Sequence, residues 1–183
     1  MLAMTAQGNC SMQNNFNIKP MSASDWSRYR DVRLRALHDS PDAFGSTYER
    51  SSRLTDADWI ARLQAAQSDQ TLPMAAIKDG EFMGLAWVMI EPPDKTVAHL
   101  YQMWVDPQCR GCGIGRALIE TAIEWAQAIG SLSMQLEVTC GDRPARRLYD
   151  AMGFTPTGEP QPVRPGSTRL EQTMVLRFSH DAN

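Results

Sequence analysis

The 183-residue sequence has no excess of basic residues and no long apolar segment, and each absence argues against a class of function. Its formal net charge is −3 at pH 7, whereas a protein that binds nucleic acid through its phosphates needs a basic surface. No apolar run approaches the roughly 20 residues that a membrane-spanning helix requires. The sequence therefore predicts that neither nucleic acid nor a membrane is the main partner.

Cysteine is also scarce. Four cysteines at irregular spacing do not form a disulfide scaffold, which favours a reduced, cytoplasmic location. Cys109 and Cys112 form a C-x-x-C pair, which can belong to a zinc site or a redox pair. Because Cys10 and Cys140 stand alone and no histidine pair accompanies them, a second set of ligands is missing. We therefore expect no metal, while a redox role of the pair stays open.

The first residues lack the basic segment followed by an apolar one that marks a secretory signal. Residues 1–15 are rich in Gln, Asn, Ser and Met, which predicts a flexible N-terminal tail. Hydrophobic residues make up 43% of the chain and charged residues 21%, an ordinary globular composition. With no internal repeat or linker, residues 16–180 are expected to form one domain.

The apolar pattern predicts alternating strands and helices. Asp79-Gly80 between two apolar runs indicates a hairpin, Thr55 with Asp58 approximates a capping box, and Asp142 suits a helix cap. Hairpins in the first half and strand-helix-strand units in the second require a mixed sheet with helices on both faces, an α/β fold. We expect strands near residues 16–19, 72–78, 82–90, 97–105, 133–139 and 169–178, and helices at 22–37, 55–67, 113–128 and 142–152.

A glycine-rich junction at residues 105–116 joins an apolar strand to an amphipathic helix. Three alternating glycines leave backbone N–H groups at the positive end of that helix open to an anion, with no Cβ in the way. The G-x-G-x-x-G spacing of dinucleotide sites and the Gly-Lys-Ser/Thr ending of NTPase phosphate loops are both absent. The junction thus predicts an anion site of another kind.

Two sequence motifs, one of them in this junction, indicate a protein family. Arg110-Gly111-Cys112-Gly113-Ile114-Gly115 resembles the acetyl-CoA loop of the GCN5-related N-acetyltransferase superfamily, whose signature is Gln or Arg, two residues, Gly, one residue, then Gly or Ala. Downstream, residues 145–154 resemble the family's A-x-x-L-Y-x-x-x-G-F. The resemblance covers residues 16–178. It implies the acyl-CoA N-acyltransferase fold, a mixed and mostly antiparallel sheet flanked by helices (α/β, or α+β in some schemes).

The resemblance implies an N-acetyltransferase that moves an acetyl group from acetyl-CoA, as co-substrate, directly to a primary amine of a small molecule, peptide or protein. The alternative is a non-catalytic, regulatory acyl-CoA-binding module on the same fold. Neither the acceptor amine nor the oligomeric state follows from the motifs, and a homodimer stays open.

The resemblance also assigns the cofactor contacts. Backbone amides of the glycine loop are expected to hold the pyrophosphate, and residues 103–105 to pair with the pantetheine arm and polarise the thioester carbonyl. Arg110 either adds a charge contact to the cofactor or is a solvated surface residue. Asp142 stands where the family commonly has an Asn that hydrogen-bonds the pantetheine, and its carboxylate can accept a hydrogen bond but cannot donate one. The implied residues are Met103, Trp104, Val105, Arg110, Gly111, Cys112, Gly113, Ile114, Gly115, Asp142 and Tyr149.

Catalysis requires an acid for the thiolate and a base for the amine. Tyr149 stands at the family's position for the acid, although a tyrosine that only packs in its helix is the alternative. Counting back from Val105 places His99 at the position of the base, an imidazole suited to the task. Glu137 is the alternative base or an anion that binds the amine, and His99 without a catalytic role stays open.

The acceptor site is expected between the loop at residues 40–48 and the loop at residues 157–167. Aromatic residues in the first loop either cover a core edge or line a ligand cleft. The substrate-binding residues that we expect are Phe44, Tyr48, Trp87 and Glu137.

Overall fold

The computed structural model describes residues 15–179 as a mixed sheet with helices on both faces. The strands are β1 (Asn17–Pro20), β2 (Thr71–Lys78), β3 (Glu81–Ile90), β4 (Val97–Val105), β5 (Ser133–Thr139), β6 (Thr155–Pro156), β7 (Gln161–Pro162) and β8 (Leu170–Arg177). The helices are α1 (Trp26–Asp39), α2 (Tyr48–Ser51), α3 (Asp56–Ala65), α4 (Ile114–Ala128) and α5 (Arg143–Ala151). The tail predicted for residues 1–15 lies outside the described residues except for Asn15, as does residue 180.

Local chemistry accounts for the helix starts. The hydroxyl of Thr55 accepts from the N–H of Asp58 at 3.2 Å and the carboxylate of Asp58 accepts from the N–H of Thr55 at 2.8 Å, so that the predicted capping box opens α3. A 3-10 turn capped by Ser22 leads into α1. The short α2, which Thr47 caps, was not predicted because it lies inside a segment rich in turn residues.

The sheet order is β1-β2-β3-β4-β5-β8-β6, with β7 paired to β8. Asp79 and Gly80 have φ angles of 51° and 84°, which joins β2 to β3 through the two-residue hairpin that the sequence predicts. β4 and β5 form the parallel pair and the named neighbours are otherwise antiparallel, which confirms the mixed, mostly antiparallel sheet.

The two faces of the sheet carry separate apolar cores. α4 packs on one face, with Leu118 and Ala122 fully buried, and α1 and α3 pack on the other, where Trp59 and Leu63 are fully buried. Ile129, which follows the last residue of α4, is 41% exposed. None of the helices within residues 15–179 combines the length and apolarity needed to cross a membrane.

Candidate active site

An opening between β4 and β5 forms the centre of the site. Their ladder consists of three pairs and ends at His99 opposite Gln135. Beyond that pair the edge of β4 that faces β5 has no strand beside it. A bulge in β4 accompanies the opening, since Gln102 has a φ of 53° and the register with β3 shifts there. Tyr29 stabilises this bulge by donating a hydrogen bond to the Gln102 side chain at 3.1 Å.

A cavity of about 520 Å³ occupies the opening. Its lining comes from β3, β4 and β5, from α5, from α1 and from the loop at residues 43–46. Val163 and Glu171 close the side at β8. The predicted loops at residues 40–48 and 157–167 therefore both contribute to the cavity wall.

The glycine loop lies at the N-terminus of α4. Gly113 caps the helix with a φ of 86° and no side-chain cap. Within residues 15–179, the six N–H groups of residues 111–116 have no hydrogen-bond acceptor. Together with the positive end of a 15-residue helix, these donors are suited to bind an anion.

The third glycine of the loop has a packing role. A Cβ on Gly115 would lie 3.0 Å from Leu148 Cδ2 and 3.5 Å from Met103 Cε, closer to Leu148 than nearly all real contacts. Glycine therefore lets α5 approach the start of α4. This contact places the predicted acid on α5 beside the anion site on α4.

Arg110 has a side chain that is 49% exposed, and two hydrogen bonds orient its guanidinium. Its Nε donates to the carbonyl of Val105 at 3.0 Å, and its Nη2 donates to the carboxylate of Asp39 at the end of α1. The same carboxylate accepts from Trp104 Nε1 at 2.9 Å. Burial alone would raise the pKa of Asp39, but the hydrogen bonds from Trp104, Ser40 and Arg110 outweigh it and lower the pKa. Asp39 thus fastens the glycine loop and the end of β4 to α1.

Tyr149 lies in the cavity wall, where its side chain is buried. Burial, and then the negative charge of Asp142, raise its pKa well above the ordinary value, so the phenol is protonated near neutral pH. Asp142 accepts from the N–H of Ala145 at 3.1 Å and caps α5, as the sequence predicts. Tyr149 can therefore donate a hydrogen bond or a proton into the cavity.

The structure brings Phe44, Trp87 and Glu137 together in the cavity wall, but not Tyr48. Tyr48 begins α2, and its ring packs edge-on against His38 at 5.8 Å, beside a separate hollow next to α1. The expectation that Tyr48 contacts the substrate does not agree with this position, because the cap at Thr47 turns the chain into a helix there.

His99 is also outside the cavity wall. It forms the last ladder pair with Gln135, where the sheet is still closed, and its ring stacks on Tyr101 at 6.0 Å. Tyr101 occupies the wall position instead and donates to Glu91 at 2.8 Å. The structure thus separates His99 from Tyr149, although the sequence grouped them.

Several residues of the cavity were not predicted. Arg33 is 4% exposed and lies in the wall, and its signal was a charged residue within the apolar stripe of α1. Glu171 follows a proline-rich turn and had no motif. Burial, and then the charge of Glu137, raise the pKa of Glu171. Gln102 reaches the wall through the bulge, which the alternation of β4 does not reveal.

The cysteine pair of the glycine loop has two different environments. Cys109 is buried in the core, and Cys112 lies partly exposed on the loop. Among residues 15–179, no cluster of three or more His, Cys, Asp or Glu side chains could hold a metal ion.

Comparison with known proteins identifies relatives of the chain. The family model described as the acetyltransferase (GNAT) family matches residues 33–154. Mycothiol acetyltransferase of Thermomonospora curvata is 30% identical over 131 residues, which are 72% of this chain and 41% of that protein. N-acetylaspartate synthetase of Danio rerio is 34% identical over 109 residues, 57% of this chain and 38% of that protein. The chain thus spans about two fifths of the length of these curated relatives.

Two solved structures share the fold. An acetyltransferase of the GNAT family from Streptococcus pneumoniae has a TM-score of 0.77 at 20% identity, with 90% of this chain and 99% of that chain covered. A putative acetyltransferase from Salmonella typhimurium, solved with its cofactor acetyl-CoA, has a TM-score of 0.76 at 20% identity, with 92% and 97% covered. At this identity the likeness shows the fold.

The role of Asp39 predicts a pH-dependent contribution to stability. Asp39→Asn should lower the free energy of unfolding by about 1 kcal/mol at pH 7, since three donors lose a charged acceptor. Because the folded-state pKa is lowered, this contribution is present above the ordinary value of 3.8 and is lost as the pH falls through the folded value. Urea unfolding of both proteins between pH 7 and pH 3 measures the difference.

Asp31→Asn is the matched control, because Asp31 lies on the same helix, is 68% exposed and approaches only Arg30, at 3.6 Å. It should change stability by less than about 0.5 kcal/mol. If the difference in unfolding free energy between Asp39→Asn and the wild type already decreases between pH 7 and pH 5, the lowered pKa assigned to Asp39 is contradicted.

Proposed function

The chain belongs to the acetyltransferase (GNAT) family, and from this premise we propose that it transfers an acetyl group from acetyl-CoA directly to a primary amine. Residues 16–180 are the proposed N-acetyltransferase domain, and the matched residues 33–154 lie inside it. A cytoplasmic location belongs to the same proposal. The observation that carries the proposal is the set of six unpaired N–H groups beside a cavity that contains a protonated tyrosine.

Acetyl-CoA fits the site in two parts. The N–H groups of residues 111–116 are placed to bind its pyrophosphate, because the glycines allow close approach and the helix end favours negative charge. The open edge of β4 from Leu100 to Val105 is placed to pair with the pantetheine arm as an added strand. These two contacts direct the thioester into the opening between β4 and β5. Arg110 is placed to add a charge contact through the exposed part of its guanidinium, while Asp39 holds Nη2.

In the proposed reaction, the unprotonated amine attacks the thioester carbonyl and forms a tetrahedral intermediate. A free N–H on the open edge of β4 stabilises the oxyanion. Collapse of the intermediate breaks the C–S bond, and the CoA thiolate takes a proton from Tyr149. The proton that the nitrogen loses on becoming an amide returns Tyr149 to the phenol. A phenol is ordinarily a weaker acid than a thiol, but burial in the same cavity raises the proton affinity of a thiolate as well.

The amine reaches the cavity mostly as an ammonium ion and must lose a proton. Glu137 lies in the cavity wall, and Gln135 holds its carboxylate by donating a hydrogen bond at 3.3 Å. These positions support Glu137, directly or through a water molecule, as the group that takes the proton. The same support is missing for His99, which lies outside the wall.

The first prediction from the proposed reaction concerns its acid, Tyr149. Tyr149→Phe should lower kcat about 100-fold and change the KM for acetyl-CoA less than threefold, because it removes a proton donor and keeps the packing of the ring. Thiol release with a panel of amines measures both constants. Tyr48→Phe, outside the cavity, should leave them unchanged. Turnover in none of the proteins, with acetyl-CoA bound in all, would support a non-catalytic acyl-CoA-binding module instead.

The second prediction concerns the base. Glu137→Gln should lower kcat/KM for the amine about 100-fold at pH 7, and the loss should shrink at higher pH, where more of the amine is already unprotonated. His99→Gln is the control and should stay within about twofold of the wild type. A loss in His99→Gln and none in Glu137→Gln would assign the base to His99.

The third prediction concerns the glycine loop. Gly111→Ala should raise the KM for acetyl-CoA about tenfold, because an alanine resists the φ of 77° on which the N–H directions depend. Gly130→Ala is the matched control, with a φ of 89° at the opposite end of α4 and, like Gly111, no atom within 4 Å of the added Cβ. An equal rise in both variants would show that strain on the helix, and not anion binding, causes the effect.

A further inference from the structure

Arg33 is a buried cation that lacks a counterion. Its side chain belongs to α1, is 4% exposed and lies in the cavity wall. Its Nη1 has no hydrogen-bond partner, and none of the ion pairs within residues 15–179 includes it. Burial, its main influence, lowers the pKa of Arg33 only to about 10, so the guanidinium is charged at neutral pH.

A charge in this position is costly for the folded protein. A buried ion without a counterion loses its hydration, and the contact with the Phe44 ring offsets only part of that loss. Its charged neighbour Arg62 adds repulsion, while Tyr29 is neutral because burial raises its pKa. The arrangement is therefore incomplete without an anion in the cavity.

The surroundings of Arg33 favour a planar anion. The guanidinium packs on the ring of Phe44, with Cζ 4.4 Å from the ring centre, and this contact fixes its plane. Arg164 holds the Phe44 loop by donating to the carbonyl of Phe44 at 3.0 Å. A second wall residue, Trp87, has a buried indole N–H without a partner. The wall thus contains two buried donors that lack acceptors.

The same cavity also contains acidic residues. Glu137 on β5 and Glu171 on β8 line the same cavity. An ammonium group is attracted to these carboxylates, and a carboxylate is repelled by them and attracted to Arg33. The cavity thus matches a molecule that carries both groups.

We propose that Arg33 binds a carboxylate of the acceptor, so that the substrate class is amino acids and related amines that carry a carboxylate. The inference rests on the proposed acetyl transfer. The guanidinium holds the carboxylate through charge-assisted hydrogen bonds, which orients the amine toward Glu137 and the thioester. The acetyl group moves from sulfur to nitrogen, and the carboxylate is unchanged.

The experiment compares each L-amino acid that has a primary α-amine with its own amide, using acetyl-CoA and thiol release. An amide has a less basic amine, so a preference for the acid cannot come from a larger unprotonated fraction. Phosphoethanolamine serves as an amine with a different anion. We expect at least one amino acid to exceed its amide about tenfold in kcat/KM, and phosphoethanolamine to be a poorer acceptor.

Variants assign this preference to Arg33. Arg33→Met should raise the KM for the acid about 10- to 100-fold and leave the KM for acetyl-CoA and the rate with the amide within twofold. Arg33→Lys keeps the charge and should restore part of the affinity. Arg62→Met, outside the wall, should behave as the wild type. An equal loss for acid and amide, or a rise in the KM for acetyl-CoA alone, would overturn the proposal.

Thermal unfolding separates the two proposals, because it needs no turnover. The preferred amino acid should raise the Tm of the wild type and not that of Arg33→Met, since only a ligand bound to the native state stabilises it. Without ligand, Arg33→Met should unfold at or above the Tm of the wild type, because it removes an unpaired buried charge. A lower Tm together with unchanged acid preference would make Arg33 a structural residue.

If no amine is acetylated and the amino acid still raises the Tm only when Arg33 is present, acetyl transfer fails and the carboxylate site stands. If amides or phosphoethanolamine are acetylated as well as the acids, acetyl transfer stands and the carboxylate site is overturned.

Discussion

The end of the β4–β5 ladder at His99 and Gln135 is the constraint on which the rest of the site depends. A sheet that stayed closed would satisfy its backbone groups and leave no space between the strands. Where the strands part, β4 has an unpaired edge inside the sheet. The backbone N–H and C=O groups on this edge need hydrogen-bond partners other than β5. The bulge at Gln102 and its hydrogen bond from Tyr29 hold β4 in this arrangement. The opening is therefore built into the fold before any ligand binds.

Polar groups that hold the loops near the opening have hydrogen-bond partners, whereas two donors in the cavity wall have none. Next to the separate hollow at α1, Asp39 accepts from Trp104 and Arg110, and beside the cavity Arg164 donates to the carbonyls of Pro41 and Phe44. Inside, Arg33 Nη1 and the indole N–H of Trp87 have no acceptor. Buried polar groups in proteins are nearly always paired. The paired groups hold the loops in place, whereas the unpaired donors in the cavity wall cost stability.

Local patterns in the sequence were sufficient for most of the fold. Asp79-Gly80, the Thr55 capping box and the glycine loop act through neighbouring backbone, so their structures follow from a few residues. The roles predicted for Tyr48 and His99 rested on their positions in the sequence. Sequence position alone does not show where α2 begins or where the β4–β5 ladder ends. Arg33 needed the assembled cavity, because only tertiary structure shows that its charge is left without a partner.

The distribution of charge across the opening also sets the direction of the proposed proton movements. Glu137 and Glu171 lie on the strands that bound one side of the cavity, and the charge of Glu137 helps to raise the pKa of Glu171. Both carboxylates line the cavity that the ammonium group would enter. Tyr149 on α5 keeps its own proton, because burial and Asp142 oppose its ionisation. In the proposed reaction, the residue that accepts one proton and the residue that donates another thus belong to different elements that line the same cavity.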